Sequence, residues 1–177
     1  ATMGQRLSRA KAKIAAARIP FVVPEPEAWA ARLDSVLKVI YLIFNAGYTA
    51  GPSADRDLCT EAIYLARMLD TLRPGEAEVE GCLALMVLTH ARRKARAGAD
   101  GASIALADQD RRLWDHAALV EGTALLDAAM ARRNPGPFQI KAAIAACHHA
   151  AGSDWPQIAM LYRGLMQLEP TPVIALN

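Results

Sequence analysis

The sequence is poor in aromatic residues: Phe, Trp and Tyr together fill only 6% of its 177 positions. Its apolar content is 53%, carried largely by alanine and leucine. Both are strong helix formers and poor strand residues, so closely packed helices are favoured over a β-sandwich. Long apolar runs are lacking as well. The most apolar stretch, Val36 to Phe44, is interrupted by Lys38 and falls far short of the ~18 residues that mark a membrane span. The N-terminus has no apolar core followed by a small-residue cleavage site, so no signal peptide is read, and a cytoplasmic protein with no membrane partner is expected. Cysteine is scarce: Cys59, Cys82 and Cys147 are widely spaced and odd in number, which suits reduced core thiols.

The common catalytic signatures are missing too. There is no G-x-S-x-G, no glycine-rich phosphate loop and no H-E-x-x-H or C-x-x-C pair. Cys147-His148-His149 invites a metal, but consecutive helical side chains diverge by about 100° and cannot meet on one ion. Asp100, Asp108 and Asp110 lack the spacing of a twelve-residue calcium loop, and capping or turn formation accounts for them better. Neither an enzyme nor a resident metal or cofactor is expected.

Negative charge is absent from one segment. The first eighteen residues carry Arg6, Arg9, Lys11, Lys13 and Arg18 and no carboxylate, so +5 of charge sits there and −3 on the remainder. Such asymmetry points to a polyanionic partner for the basic segment.

The apolar spacing predicts helices over 2–18, from Glu27 to about Phe44, over 57–72, from Glu76 to about Arg93, from about Asp108 to Arg133, over 138–151 and over 155–168. Pro20 ends the first, and Phe21 to Pro26 reads as a stiff linker. Asn45 or Gly47 suits a C-terminal cap for the second helix, Gly51-Pro52-Ser53 a loop, and Asp55 or Asp57 an N-cap for the third. The third helix is expected to bury Leu58, Ala62, Leu65, Leu69 and Leu72, and the fourth Val79, Cys82, Leu83, Met86 and Val87. Between Arg92 and Asp110 the pattern is irregular, with an Asp100-Gly101 turn and a small hairpin or ordered loop near Ser103 to Leu106. Ala62 to Pro74, Thr123 to Pro135 and Ile158 to Pro170 each read as a helix closed by proline. Their prolines lie 61 and 35 residues apart, and a helix-turn-helix repeat of about 34 residues has the tetratricopeptide period. The wider gap then holds an insertion. The fold expected is all-α, with helical hairpins in a degenerate tetratricopeptide-like array. The chain opens inside a motif and ends on an apolar segment that reads as a helix just starting, so a fragment of a longer protein is expected.

The run Thr2-Met3-Gly4-Gln5-Arg6-Leu7-Ser8-Arg9-Ala10-Lys11 resembles the recognition helix of region 4 in bacterial extracytoplasmic-function (ECF) sigma factors. There Thr, an apolar residue and two variable positions precede Arg-Leu-x-Arg-Ala and then Arg or Lys; Gly4 stands where many members carry lysine. Further along, Tyr41-Leu42-Ile43-Phe44-Asn45-x-Gly47-Tyr48, Asp108-Gln109-Asp110-Arg111 with Trp114-Asp115, Gly136-Pro137-Phe138-Gln139-Ile140 and Pro172-Val173-Ile174-Ala175-Leu176-Asn177 resemble, in order, the large C-terminal extension of one ECF group. The resemblance implies three parts: 1–20 as the end of region 4, a helix-turn-helix remnant; 21–26 as linker; and 27–177 as a truncated helical regulatory extension. It implies that Thr2, Gln5, Arg6 and Arg9 meet DNA, with Lys11 and Lys13 nearer its backbone. It also implies RNA polymerase core and promoter DNA as partners of the intact protein, and a partner protein or the chain's own sigma regions as the target of the extension.

Asn45, Tyr48, Gln109, Asp110, Arg111, Trp114 and Asp115 border the insertion. They read either as caps and hydrogen bonds that pin it or as a groove for a protein segment. The rival to the sigma reading is a free-standing helical-repeat scaffold that binds peptides.

Overall fold

The computed structural model describes residues 3–18, 25, 28–50, 57–98, 101–149 and 154–176. Among them it is all-α: α1 is Met3–Ala16, α2 Trp29–Ala50, α3 Leu58–Leu72, α4 Ala77–His90, α5 His116–Ala131, α6 Pro137–Cys147, α7 Trp155–Leu168 and α8 Pro172–Ala175. Three short 3-10 turns, Arg93–Ala95, Leu106–Asp108 and Arg111–Leu113, occupy the stretch between α4 and α5. The chain divides into two compact units, 1–34 and 35–177. Of the expected linker only Glu25 is described; Gly51, Pro52, Ser53, Asp55, Asp100 and the helix end expected at 150–151 lie outside the described residues.

In the larger unit α4 is the central element. Ala77 and every residue from Val79 to Leu88 are buried, which is what a helix apolar on all sides requires. It packs against α3, α5 and α6; α6 in turn packs against α5 and α7, and α7 against α8. Thus α4 and α6 lie side by side, with α3, α5 and α7 alternating along them. The prolines expected to close repeats do sit in the turns after α3, α5 and α7. Sharp backbone turns help there: Gly75 has φ 87 and Arg133 φ 54, both in the left-handed region that favours glycine.

Local chemistry explains most boundaries. Asp57, Asp115, Asp154 and Thr171 each accept a bond from a first-turn amide and start α3, α5, α7 and α8, the usual work of an N-cap. Helix α6 is capped from another helix. The Glu78 carboxylate on α4 accepts from Phe138 N at 2.9 Å, from Gln139 N at 3.1 Å and from Gln139 Nε2 at 3.1 Å. A negative group at a helix N-terminus also suits the helix dipole. Replacing Glu78 by Ala is expected to cost about 2 kcal/mol, because three charge-assisted hydrogen bonds vanish at once. Urea unfolding measures it, and Glu78→Gln should fall between the two.

Four expectations need correction. Helix α2 does not close at Asn45 to Tyr48 but runs to Ala50. Gly47 is a contact residue: a Cβ there would stand 2.7 Å from Cys59 N on α3. Helix α3 buries Cys59, Ala62 and Ala66, whereas Leu65 and Leu72 are exposed; the face against α4 is built of small residues that admit close approach. Helix α4 ends at His90, short of Arg93. Helix α5 begins at His116 instead of near Asp108, because Asp110 caps a separate 3-10 turn, Arg111–Leu113, and Asp115 then caps α5 itself. The expected small hairpin is present as one antiparallel bridge, Ala97 to Ser103, with Gly101 at φ 79.

Candidate functional site

Helix α1 carries the first set of candidates. Gln5, Arg6, Arg9, Lys11 and Lys13 are exposed along it; Thr2 lies outside the described residues. At about 100° per residue, Gln5, Arg6, Arg9 and Lys13 fall within one arc of roughly 100°, while Lys11 points to the opposite side. Arg9 Nε donates to the Gln5 carbonyl at 3.4 Å, which steadies its stem. The helix has no acidic residue in its first turn and Lys13 in its last. Leu7 and Ile14 are exposed and share a second stripe, seven residues apart.

The second set surrounds the stretch between α4 and α5, and several of its members make hydrogen bonds there. Asp110 Oδ1 accepts from Arg112 N at 3.0 Å and caps the 3-10 turn, while its carboxylate also holds the Arg112 guanidinium at 2.8 Å. These bonds from Arg112 keep the Asp110 carboxyl below the usual range. Asp115 caps α5 through Ala118 N at 3.0 Å, and its own amide donates to Ala91 O at 2.8 Å. Gln109 Nε2 donates to Ile104 O at 3.2 Å. Tyr48 joins from α2: the Arg96 guanidinium lies 3.1 Å above its ring and Arg96 Nη2 donates to its carbonyl at 3.3 Å. Asn45 does not join them. Its side chain bonds Tyr41, partly offsetting the rise in the Tyr41 pKa that burial causes.

Trp114, 5% exposed, lies edge-to-face with His149 at 5.6 Å. Arg111 stands 4.9 Å over the Trp114 ring and donates to the His149 carbonyl at 3.3 Å. Burial, followed by the charges of Arg92, His148 and Arg111, drives the His149 pKa down to about 4. Only Cys147 of Cys147-His148-His149 lies on α6, which ends there; Cys147 packs with Ile144, Ile158 and Leu165, His148 turns to Trp155 at 6.0 Å and His149 to Trp114. Among the described residues no group of three His, Cys, Asp or Glu is placed to hold a metal ion, and no helix is long and apolar enough to cross a membrane.

A third feature escaped the sequence reading. A cavity of about 480 Å³ opens between α3 and α5 over α4, lined by Ile63, Tyr64, Val87, His90 and Ala118 among others. The Arg67–Glu121 ion pair, with Nη2 to Oε2 at 3.0 Å, bridges α3 and α5 beside it. Arg92 and Arg96 were missed as well, the run Arg92-Arg93-Lys94-x-Arg96 just after a buried helix being the available signal; His149 was weighed only as a metal ligand beside Cys147 and His148.

The cysteines are free. Burial, reinforced by Glu78, pushes the Cys82 thiol up to about 12. Against an ordinary thiol pKa of 9.0, this lowers its thiolate fraction at pH 8 about a thousandfold. Alkylation of the folded protein at pH 8 should therefore spare Cys82, and denaturant should release it; mass spectrometry of the labelled peptides checks this.

Among the described residues the fold is thus an all-helical array whose central helix, α4, is followed by a stretch of short 3-10 turns. The profile of a family of unknown function, DUF6596, matches residues 32–130, and the chain belongs to that family. A protein of Rhizobium meliloti (strain 1021) named "Uncharacterized protein R00370" is 50% identical over 184 residues, which cover 100% of this chain and 44% of that protein. The chain therefore spans less than half the length of that relative. No solved structure matches it.

Proposed function

We propose that this chain is the C-terminal part of an ECF-type sigma factor. Its first helix is the end of the promoter-reading region 4, and its helical array is a regulatory extension. The observation that carries the reading is the Thr2–Lys11 motif, whose described part, from Met3, lies on a helix that exposes Gln5, Arg6, Arg9 and Lys13 on one face with no carboxylate. An extended row of cations along one helical face is what the phosphates and base edges of a major groove require. In this reading the intact protein works in the cytoplasm with RNA polymerase core and promoter DNA. The extension, which carries no catalysis, acts through protein contacts with its own sigma regions or a partner.

Transcription from the cognate promoter by the intact parent protein and by a version truncated after Pro20 tests the regulatory role. Output should differ between them, and identical output would sink it. In the same parent, Arg9→Ala should weaken promoter binding about tenfold, with affinity falling steeply as salt rises. Binding indifferent to both would remove the sigma reading. It would leave a peptide-binding scaffold, which the cavity between α3 and α5 favours.

A further inference from the structure

Where the insertion meets the end of α6, positive charge gathers without a counter-charge. Arg92 is partly buried, its Nε is sealed from solvent, and that nitrogen has no hydrogen-bond partner. Burial lowers the Arg92 pKa, Tyr48 offsets this in part and Arg96 adds to it. Two neighbouring side chains also hold sealed, unpartnered polar atoms: Trp114 Nε1, and both ring nitrogens of His149. The nearby carboxylates are committed elsewhere. Asp57 holds Arg93 at 2.7 Å, Asp110 holds Arg112 at 2.8 Å and Asp115 caps α5. No carboxylate among the described residues acts on Arg92 or His149, whereas Arg92, His148 and Arg111 all press on His149.

A sealed guanidinium nitrogen and an indole N–H without acceptors each carry a desolvation cost that a native fold ordinarily removes. The C-terminal carbonyls of α6 offer only about half a negative charge, against the full charges of Arg92, Arg96 and Arg111. Arg96 is already stacked on Tyr48 and bonded to its carbonyl, and Arg111 is bonded to the His149 carbonyl. Arg92 Nε is left without a hydrogen-bond partner among the described residues. The available donors are Arg92 Nε–H, Trp114 Nε1–H and the single N–H that a neutral His149 ring carries, and N–H groups beside a cation suit the oxygens of an oxyanion.

We infer that this seam is a binding site for a small oxyanion of the phosphate class, with Arg92 as its charge and Trp114 and His149 as its polar walls. The site goes beyond the sigma reading and does not depend on it. It gives the extension a ligand that would tie the insertion to the end of α6, two segments far apart in sequence.

Titration of the 177-residue chain with inorganic phosphate, at constant ionic strength against chloride, tests it by calorimetry and by thermal unfolding. Saturable binding at one site and a rise in midpoint with phosphate are expected. Arg92→Met should weaken phosphate about tenfold or more while circular dichroism shows the fold retained. Lys94→Gln tests the neighbouring cleft of about 390 Å³, which Trp114, Arg93, Lys94 and Arg112 also line, and should leave affinity unchanged. If Arg92→Met fails to fold, the indole N–H resonance of Trp114, assigned by Trp114→Phe, replaces it and should shift on adding phosphate. No saturable phosphate binding by the unaltered chain overturns the inference. So does loss in Lys94→Gln but not in Arg92→Met, or an indole resonance that stays still.

Discussion

Gly81→Ala should lower the stability of the protein by about 3 kcal/mol, although it adds one methyl group to a helix. In an open helix the same change gains up to ~1 kcal/mol, because alanine is the better helix former. Packing reverses the sign. A Cβ on Gly81 would stand 2.7 Å from Gln139 Cγ, 2.8 Å from Gln139 N and 3.0 Å from Gln139 Cα. Two of those atoms are backbone at the start of α6, and they are held there by Glu78. Relief requires α6 to move away from α4, opening a fully buried contact in the larger unit.

Gly122 provides the contrast. Its Cβ would meet Leu88 Cγ at 2.6 Å and Cδ2 at 2.8 Å, with backbone no nearer than 3.3 Å. A leucine side chain turns aside more readily than a helix shifts, so Gly122→Ala should cost about 1 kcal/mol. Gly4 on α1 has nothing within 4 Å of its Cβ position, and Gly4→Ala should raise α1 helicity without a cost. Urea denaturation of the three variants gives the ranking. A Gly81→Ala protein as stable as Gly122→Ala would mean that α4 and α6 do not approach this closely in solution.

These glycines also show where the sequence was legible and where it was not. The helical class, the order of elements and the proline-closed turns followed from composition and spacing, because alanine-rich periodicity and helix breakers act locally. Gly47 did not, since a glycine that ends a helix and one that admits a neighbouring helix look alike until the neighbour is placed. The start of α5 was misjudged for a related reason. Trp114 lies four residues before Ala118 and so continues the helical period, yet Asp115 accepts the Ala118 amide at 3.0 Å and starts the helix after it. Leu65 and Leu72 of α3 follow the period equally well, but the shallow Cys59, Ala62 and Ala66 face allows closer packing on α4. In the insertion, Gln109, Asp110 and Asp115 were readable as capping types. The meeting of Arg92 with His149 was not, because 57 positions separate them in the numbering and only the array of helices between them brings them together.

Acid should destabilise the protein between pH 6.5 and about 4, and His149 should be the main cause. An unfolded histidine takes up its proton near 6.5, whereas His149 in the fold holds out to about 4. Within that window the unfolded chain binds a proton that the native chain refuses, so stability falls as pH falls. The stability is fully present above 6.5 and lost by about pH 4, a total of about 3 kcal/mol from this residue. Burial of the ring sets the direction, and Arg92, His148 and Arg111 face it from both sides of the seam and reinforce it. His90 and His148 are also lowered, first by burial, and add to the slope with the same sign. His149→Phe keeps a ring against Trp114 and removes two sealed nitrogens that have no partner, so near pH 7 it should be close to neutral or stabilising. Its effect should appear in the slope: urea unfolding at intervals from pH 4 to 8 should show a flatter profile for His149→Phe than for the unaltered chain. Parallel profiles would place the acid sensitivity on other groups and would mean that the ring takes its proton readily in the fold.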